Sequence, residues 1–303
     1  MSFARFMELA LYHPEVGYYR RDQTRVGYAA GTDFFTASTS GQMFGELVAA
    51  ACVHLLGCRD PGTHTFVEIG AEPGQSVLAG ITHPFGAVRT LRVGEPLALT
   101  GQCIVFSNEL FDAQPCTRTI FRNGEWREVG VALVRDNLIE IELPPPHGVR
   151  SNAPAAGTES YRFDQPHAAT SLAEKIARQP WTGLFVAFDY GKSLLDLLEN
   201  CPAGTLRTYY RHTQSNDLLS RPGEQDLTCH VCWDWLTSAL EANGFPAITL
   251  VSQEAFFIRY AADLIAATTA AEAARLSQRK LALLQLLHPA HLGHKFQVLH
   301  ALR

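Results

Sequence analysis

The sequence predicts an α/β fold in which a mostly parallel sheet is covered by helices on both faces. The first observation is that short apolar runs typical of buried strands, such as residues 65–69 and 184–188, alternate with amphipathic segments of helical period. The second is a glycine turn at residues 70–74, directly after the first of these runs. Strand, glycine turn and helix together open a nucleotide-binding α/β unit, whose ligands bind beyond the carboxyl ends of the strands.

Length and composition are those of a globular protein. The chain has 303 residues, of which 47% are hydrophobic and 18% charged, enough for one large domain with insertions. A net charge of -5 provides no basic field for nucleic acid. No run approaches the roughly 20 apolar residues of a membrane span, and the N-terminus lacks the pattern of a signal peptide or a clear transit peptide. With seven scattered cysteines, these features predict a cytoplasmic protein with reduced thiols.

The other elements follow from the period of the apolar residues and from the turn residues between them. Three consecutive runs, separated by turn dipeptides such as Asn123-Gly124, alternate as antiparallel strands do and interrupt the parallel plan. Residues 144–157, rich in Pro, Gly, Ser and Asn, are predicted to form a mobile loop. The predicted helices are 3–11, 41–56, 75–81, 168–178, 233–242 and 270–287, and the predicted strands are 65–69, 89–93, 103–107, 117–121, 126–134, 138–141, 184–188 and 247–251.

The glycine turn carries the first candidate binding site. Backbone N–H groups of such a turn can approach an adenosyl or phosphate group closely. Glu68, two residues before Gly70, favours S-adenosylmethionine (SAM) as the ligand. Glu72 departs from the pattern, because it stands where a small residue is required. As part of the turn, Glu72 is still a candidate cofactor residue, and so is Asn108.

Glu95 is a second candidate for cofactor binding. It follows the glycine turn by about 20 residues, the spacing of an acid that accepts hydrogen bonds from ribose hydroxyls. Because Gly94 and Pro96 flank it, Glu95 is equally consistent with a solvated turn residue. The sequence leaves both interpretations open.

Polar side chains also follow two further predicted strands. Asn108, Glu109 and Asp112 come directly after the strand at 103–107, and Asp189 follows the strand at 184–188. A carboxylate at such a strand end can orient a cationic guanidinium and accept its proton, so Glu109 is the first candidate for that role, helped by Asp189 or Asp112. The alternative is that residues 108–112 form only a capped turn.

Two groups of possible metal ligands are weak evidence for a metal site. Cys229 and Cys232 have C-x-x-C spacing, but no second ligand pair lies at zinc-finger distance. Histidines recur every three residues near the C-terminus, but a proline and a glycine interrupt the helix that would align them. The sequence therefore predicts no metal site; these histidines are 288, 291 and 294.

Motifs along nearly the whole chain resemble the MidA-like family of class I SAM-dependent methyltransferases, whose mitochondrial members are complex I assembly factors. They are FMELALYHPEVGYY, GTDFFTAS, MFGE, VEIGAEPG, SNELFDAQP, WREVGV, FDYG, GTLRTYYRH, RPGEQDLTCHV, SQEAFF and HLGHKFQVL. The resemblance implies a Rossmann-like core with added family elements and SAM as methyl donor. For the mitochondrial members it also implies methylation of an arginine in a complex I subunit.

The resemblance implies a role for each matching residue. The implied cofactor residues are those of the glycine turn and of an N-terminal loop, and the implied substrate side lies toward the C-terminal half. The cofactor residues are Thr36, Glu68, Gly70 and Gly74. The residues after the two later strands are Asn108, Glu109, Asp112, Asp189, Tyr190 and Gly191. The substrate-side residues are Arg207, His212 and Asp226, with Tyr190 nearby.

The resemblance also implies one methyltransferase unit over the whole chain. Its parts are an N-terminal segment, 1–60, that is helical and carries the cofactor loop, and a core, 61–263, with insertions at 116–160 and 200–231. The remainder, 264–303, is predicted to form C-terminal helices. The apolar residues 281–287 pack either inward or against a second copy, so a homodimer stays open.

Three departures from the family pattern set two functions against each other. Glu72 replaces a glycine, the stretch from Gly74 to Asn108 is short enough to lack a helix and a strand, and Cys229 and Cys232 replace more usual residues. The first function is a SAM-dependent protein methyltransferase acting on an arginine of a partner protein such as a complex I subunit, with a degenerate cofactor motif. The alternative is a non-catalytic binding or assembly protein of the same fold that has lost SAM. A nicotinamide oxidoreductase is disfavoured, because the full glycine fingerprint is missing.

Overall fold

The computed structural model describes residues 1–21, 25, 27, 32–33, 40–72, 74–144, 157–275 and 277–303. Two sequence-based predictions lie outside these residues: the cofactor-loop position Thr36 and most of the predicted loop at 144–157.

The strands are numbered in chain order. Their bounds are β1 Thr65–Ile69, β2 Ala87–Leu91, β3 Gly101–Asn108, β4 Thr117–Arg122, β5 Glu125–Val134, β6 Asn137–Leu143, β7 Arg162–Gln165, β8 Trp181–Asp189, β9 Gly191–Lys192, β10 Arg207–Tyr210, β11 Thr213–Ser215, β12 Asp226–Thr228, β13 Val231–Cys232, β14 Thr249–Ser252 and β15 Gln297–Leu302.

The α-helices are numbered in the same way. Their bounds are α1 Phe3–Tyr12, α2 Gln42–Leu56, α3 His167–Ala177, α4 Leu194–Glu199, α5 Trp233–Glu241, α6 Gln253–Tyr260, α7 Ala262–Ala271 and α8 Gln278–Leu287.

The predicted α/β fold is confirmed. In the described residues the main sheet has six strands in the order β14-β15-β8-β3-β1-β2. The pairs β1–β2, β1–β3 and β3–β8 are parallel, whereas β15 runs antiparallel to β8 and β14. Because β1, β3 and β8 point the same way, the polar residues that follow them meet at one edge of the sheet.

Helices cover both faces of this sheet. One apolar core contains Phe66, Phe106 and Phe188 from the strands and packs them against α2, α6 and α8. The other contains Val67, Val105 and side chains of α3 and α5. Strands buried on both faces read as continuous apolar runs, which is why the sequence indicated a parallel sheet.

The predicted antiparallel insertion is also confirmed. β4 to β7 form a four-stranded sheet in the order β6-β5-β4-β7, and β10 to β12 form a smaller sheet of their own among the described residues. Helix α1 packs on the first of these sheets, where Ser2 bridges to Gly130 and the N-terminal amine donates to the Val131 carbonyl at 2.9 Å. This packing positions the aromatic residues that follow α1.

The predicted helix at 75–81 is wrong, because the chain forms only turns there. Gly80 adopts a left-handed φ of +72° and Pro84 follows, which leaves too few residues for a stable helix. Residues 92–100 likewise form no strand or helix, so β2 is the edge of the sheet.

The C-terminal segment also differs from the prediction of a long helix and then further helices. Of the predicted helix at 270–287, residues 270–271 end α7 and only residues 278–287 form a helix of their own, α8. The Ser277 side chain accepts a hydrogen bond from the Lys280 N–H at 3.1 Å and caps this new helix. The predicted set of C-terminal helices, 264–303, ends instead in strand β15 of the main sheet. The chain after residue 263 therefore completes the core.

Among the described residues, none of the helices combines the length and apolar character that crossing a membrane requires.

Candidate active site

A cavity of about 330 Å³ lies at the carboxyl ends of β1 and β3. We call it the acidic cavity, because five carboxylic acids line it. The turn after β1, the turn after β3, the start of α2 and one residue of β12 form its walls. Its lining residues are Tyr19, Gly41, Gln42, Phe44, Glu68, Gly70, Ala71, Glu72, Gly74, Gln75, Ser76, Val77, Ala79, Asn108, Glu109, Asp112 and Asp226.

The glycine turn shapes one side of this cavity. Gly70 has a φ of +86°, and a Cβ at this position would lie 3.0 Å from Leu110 Cδ1, so a larger residue would be strained in its backbone and crowded by Leu110. Gly74 has a φ of +72° with open space beside it. The Glu68 carboxylate accepts a hydrogen bond from the Val77 N–H at 2.9 Å and thereby closes the turn. Burial raises the pKa of Glu68 above its ordinary value.

Glu72 is held by a buried cation. The Arg25 Nη1 atom donates to Glu72 Oε2 at 2.9 Å, and Arg25 is 1% exposed. Arg25 also donates to the carbonyls of Tyr18 and Arg21. Because an arginine keeps its charge, the carboxylate of Glu72 is compensated, and the N-terminal segment is tied to the glycine turn.

The turn at residues 108–112, here called the acid turn, forms the opposite side of the cavity. Glu109 adopts a left-handed φ of +52°, and its N–H donates to the Phe188 carbonyl at 2.9 Å. The Asn108 side-chain amide donates to Glu109 Oε1 at 3.2 Å. A long side chain in this backbone region is strained, and such strain is characteristic of functional sites.

Asp189 is fully buried beneath the acid turn. Its Oδ2 atom accepts hydrogen bonds from the N–H groups of Phe111 at 2.9 Å and Asp112 at 3.3 Å, and its Oδ1 atom accepts one from Tyr190 at 2.9 Å. Asp189 does not line the cavity. The structure therefore places this predicted catalytic residue behind the acid turn, where its carboxylate holds the turn in shape.

Asp226 reaches the cavity from β12. Its Oδ1 atom accepts hydrogen bonds from the Tyr19 hydroxyl at 2.9 Å and from the Leu227 N–H at 2.9 Å. Tyr19 in turn stacks on Tyr12 of α1, with ring centroids 5.6 Å apart. Residues from the N-terminal segment and from the second insertion thus meet over the cavity.

Three acids of the cavity resist ionisation. Burial raises the pKa of Asp112 from 3.8 to about 6. Burial and the nearby Asp112 carboxyl raise the pKa of Asp226 to about 7. The same two causes raise the pKa of Glu109 well above its ordinary value. Buried acids of this kind are stabilised in their charged forms by a bound cation.

The cavity fits SAM on three observations. The left-handed Gly70 leaves free the space that a side chain would fill. Buried oxygens of two lining residues, Asn108 Oδ1 and Asp112 Oδ1, have no hydrogen-bond partner among the described residues. The uncompensated acids of the lining suit a ligand that carries a sulfonium and an ammonium group. The volume is at the lower end of the range for ligand sites.

Of the predicted cofactor residues, the structure brings Glu68, Gly70, Glu72, Gly74 and Asn108 together at the acidic cavity. Glu95 lies elsewhere: its side chain is exposed and accepts a hydrogen bond from the Arg92 N–H at 2.8 Å. This is the geometry of the turn residue that the sequence left as an alternative.

The predicted substrate-side residues do not lie together at one site. Only Asp226 lines the acidic cavity. Burial and the nearby Asp112 carboxyl raise the pKa of Tyr190 well above its ordinary value. Arg207 lines a different cavity, of about 660 Å³, beside the antiparallel sheet. His212 is exposed, and its Nε2 atom lies 3.1 Å from Thr32 Oγ1 in the N-terminal segment.

Sequence reasoning missed Arg25, Tyr19 and the α2 residues Gln42 and Phe44 as parts of the site. The HPEVGYY motif, which contains Tyr19, was the available signal for the site. Its two adjacent tyrosines contribute nothing to the prediction of the fold class, so their presence points to another role. Arg25 offered none, because its partner Glu72 is 47 residues away in sequence.

The described residues contain no group of three or more His, Cys, Asp or Glu placed to hold a metal ion. Cys229 and Cys232 are buried free thiols. His294 instead contacts Glu254, with Nε2 and Oε2 2.7 Å apart.

A relative of known name matches most of the chain. Protein arginine methyltransferase NDUFAF7, mitochondrial, from Danio rerio is 25% identical over an alignment of 296 residues. The match covers 78% of this chain and 67% of that protein.

Two crystal structures of Burkholderia thailandensis proteins share the fold over 100% of this chain. One, bound to S-adenosyl-homocysteine, has a TM-score of 0.85 at 23% identity and is covered over 88% of its length. The other, an uncharacterised native protein, has a TM-score of 0.81 at 22% identity and is covered over 87% of its length.

The family comparison covers one side of the site, because β1 and the glycine turn precede the matched range. Residues 88–251 match the model of a family described as S-adenosyl-L-methionine-dependent methyltransferase. This range includes the acid turn, Asp189 and Asp226. The chain therefore belongs to this family of SAM-dependent methyltransferases, the MidA-like family.

Proposed function

We propose that this SAM-dependent methyltransferase transfers the methyl group to an arginine side chain of a partner protein. The observation that carries the proposal is the acid turn: Glu109 and Asp112 face one cavity with Asp226, and Asp112 Oδ1 is buried there without a partner among the described residues. A guanidinium presents several N–H donors and a positive charge, which three carboxyl groups around one space can accept.

The residues have separate roles in this proposal. SAM supplies, when bound, a methyl group activated by the positive sulfonium. Gly70, Gly74, Glu68 and Asn108 hold the cofactor against the glycine turn. Glu72 remains paired with Arg25, which keeps its charge from acting against the cofactor carboxylate.

Positioning dominates the chemistry of methyl transfer. The acceptor nitrogen must lie in line with the carbon–sulfur bond that breaks, and holding two reactants in this way accounts for much of the acceleration. In our proposal Glu109 orients the guanidinium, and Asp112 or Asp226 takes the proton that the nitrogen loses. The raised pKa values of these acids, about 6 for Asp112 and about 7 for Asp226, suit a proton acceptor near neutral pH.

Two observations favour this function over the non-catalytic alternative. The charge of Glu72, the main departure from the family motif, is compensated by Arg25. The side chains of Glu109 and Asp112 also line the same cavity as Asp226, which a purely structural turn would not need. The name of the Danio rerio relative supports the arginine acceptor. A complex I subunit as acceptor, a homodimer and a cytoplasmic location stay predictions.

Labelled SAM tests the proposal. The protein is incubated with a cell extract and SAM carrying an isotopically labelled methyl group, and labelled proteins are hydrolysed to amino acids. We expect label in methylarginine, with loss of this label in Glu109→Gln. Label in methyllysine or in no protein, from enzyme that binds SAM, would overturn the arginine assignment.

A further inference from the structure

Three cations without an ion pair in the described parts of the chain lie near the residues that form the acidic cavity. Lys192, Arg207 and Lys295 have no carboxylate within 4.0 Å in the part of the chain that the structure describes. We call these three residues the basic rim.

The fold places the basic rim around the pair Tyr190 and His230. Lys192 pairs with Cys232 in the β9–β13 ladder, two residues beyond His230. Arg207 pairs with Thr228 in the β10–β12 ladder, two residues before His230. Lys295 precedes Phe296, whose ring lies 5.7 Å from that of Tyr190.

Tyr190 connects this surface to the acidic cavity. Its ring lies 5.5 Å from the ring of His230, and its neighbour in sequence, Asp189, accepts hydrogen bonds from the N–H groups of Phe111 and Asp112 in the acid turn. On β10, Tyr209 pairs directly with Asp226, and Arg207 is two residues away on the same face of the strand. The basic rim therefore lies next to the elements that carry the acids, while Arg207 itself lines the neighbouring cavity beside the antiparallel sheet.

Within the described ranges, none of the three side chains pairs with a carboxylate. Arg207 there donates to the backbone carbonyls of Gly204 and Leu206, which carry no compensating charge. The ammonium of Lys295 lies 5.8 Å from the centre of the Phe296 ring and is exposed. Asp196, an acid near Lys192, is already bound to Ser193 and Asn200.

We infer that the basic rim binds acidic residues that flank the methyl-accepting arginine in the partner protein. The acidic cavity would take the guanidinium, while Lys192, Arg207 and Lys295 take aspartates or glutamates on either side of it. Complementary charges of this kind determine which partner binds and in which register. The inference rests on the proposed function for the guanidinium but assigns a separate surface to the acids.

The titration of His230 supports this arrangement. Burial, together with the charges of Lys192, Arg207 and Lys295, lowers its pKa from 6.5 to about 4. All three cations therefore lie close enough to His230 to affect its titration.

Three fluorescent peptides separate this surface from the guanidinium site. The first carries one arginine between two acidic residues on each side, the second replaces the arginine by neutral citrulline, and the third replaces the acids by Gln and Asn. Anisotropy is measured with the full-length protein in the presence of S-adenosyl-homocysteine. We expect the first peptide to bind about tenfold tighter than the third, and this difference to shrink at about 0.5 M salt.

Variants assign the effect to the basic rim. Lys192→Gln combined with Lys295→Gln should remove most of the preference for the acidic peptide, whereas Lys192→Arg with Lys295→Arg should keep it. Arg207→Lys should keep it as well, because the charge remains. An unchanged melting temperature confirms that the variants fold.

The results distinguish two failures. Equal binding of the first and third peptides, or a preference that survives the glutamine variants, overturns the basic rim as a binding surface. Equal binding of the first and second peptides leaves the basic rim intact and counts against the guanidinium site. A preference for acids that is lost in the glutamine variants supports the inference.

Discussion

Arg25 and Glu72 form an ion pair across the cofactor turn, with Nη1 and Oε2 2.9 Å apart. Arg25 is 1% exposed, so the pair joins the N-terminal segment to the glycine turn at a point where water has little access to the cation. Glu72, which departs from the family motif, is thereby held by the N-terminal segment, and the glycine turn stays open for SAM.

The first prediction concerns this pair. Arg25→Met leaves Glu72 unpaired at the cavity, and its charge then acts against the cofactor carboxylate. We expect affinity for S-adenosyl-homocysteine, measured by calorimetry, to fall about tenfold, which corresponds to about 1.4 kcal/mol. The double variant Arg25→Met, Glu72→Gln should recover most of the loss, because no free carboxylate remains. If the double variant binds as poorly as Arg25→Met, the charge of Glu72 is not the cause.

The second prediction concerns the strained backbone of Glu109. Glu109→Gly relieves a φ of +52°, so the free energy of unfolding should rise by about 1 kcal/mol while methyl transfer falls at least about 100-fold. Urea unfolding and a methyl-transfer assay measure the two effects. Arg135→Gly, at a φ of +46° in the exposed β5–β6 turn, is the matched control and should gain stability without losing activity. A stabilised Glu109→Gly enzyme with full activity would remove Glu109 from the site.

The third prediction concerns Asp189 as a positioning residue. In Asp189→Asn an N–H₂ group replaces one of the two oxygens that accept backbone hydrogen bonds, which should cost about 2 kcal/mol of unfolding free energy. The acid turn would then be misplaced, so kcat should fall while the KM for SAM stays near that of the wild type. A raised KM for SAM with unchanged kcat would show that Asp189 acts on the cofactor side instead.

The fourth prediction concerns pH. The folded-state pKa of Asp112, about 6, lies above its ordinary value of 3.8, so the fold favours the protonated acid. Its contribution to stability is therefore complete below about pH 4 and is lost as the pH rises through 6, by up to about 3 kcal/mol. Asp226, with a pKa of about 7, extends this loss toward neutral pH. Acceptor binding should change in the opposite direction, because a guanidinium binds the ionised acids.

Urea unfolding between about pH 4 and pH 8, with acceptor KM measured over the upper part of that range, tests this prediction. Asp112→Asn should flatten the loss of stability, while Asp136→Asn in the exposed β5–β6 turn should leave it unchanged. Stability that rises with pH in the wild type, without a change in Asp112→Asn, would contradict the account.

Local patterns made much of this molecule predictable. The apolar runs of β1, β3 and β8 identify the parallel sheet, and because such strands end at one edge, the grouping of Glu68, Asn108, Glu109 and Asp112 follows from their positions after strands. The motifs of these same segments carry the resemblance to the family. The start of α2 and the antiparallel hairpins also follow from local residue types.

Contacts between distant segments were not predictable. The partner of Glu72 lies in the N-terminal segment, and the bonds of Asp189 go to backbone N–H groups, which are the same for every residue. Glu95 had the spacing of a ribose ligand, but a hydrogen bond within its own turn holds it at the edge of the sheet. The helix predicted at 75–81 does not form, because Gly80 and Pro84 leave too short a segment for it.

Titration calorimetry with S-adenosyl-homocysteine tests the central claim most directly, since every proposed role depends on a cofactor in the acidic cavity. The account predicts saturable heat with one site per chain, and a weaker signal in Arg25→Met. No heat and no rise in melting temperature at about 1 mM ligand would contradict it, and would leave a methyltransferase fold without its cofactor.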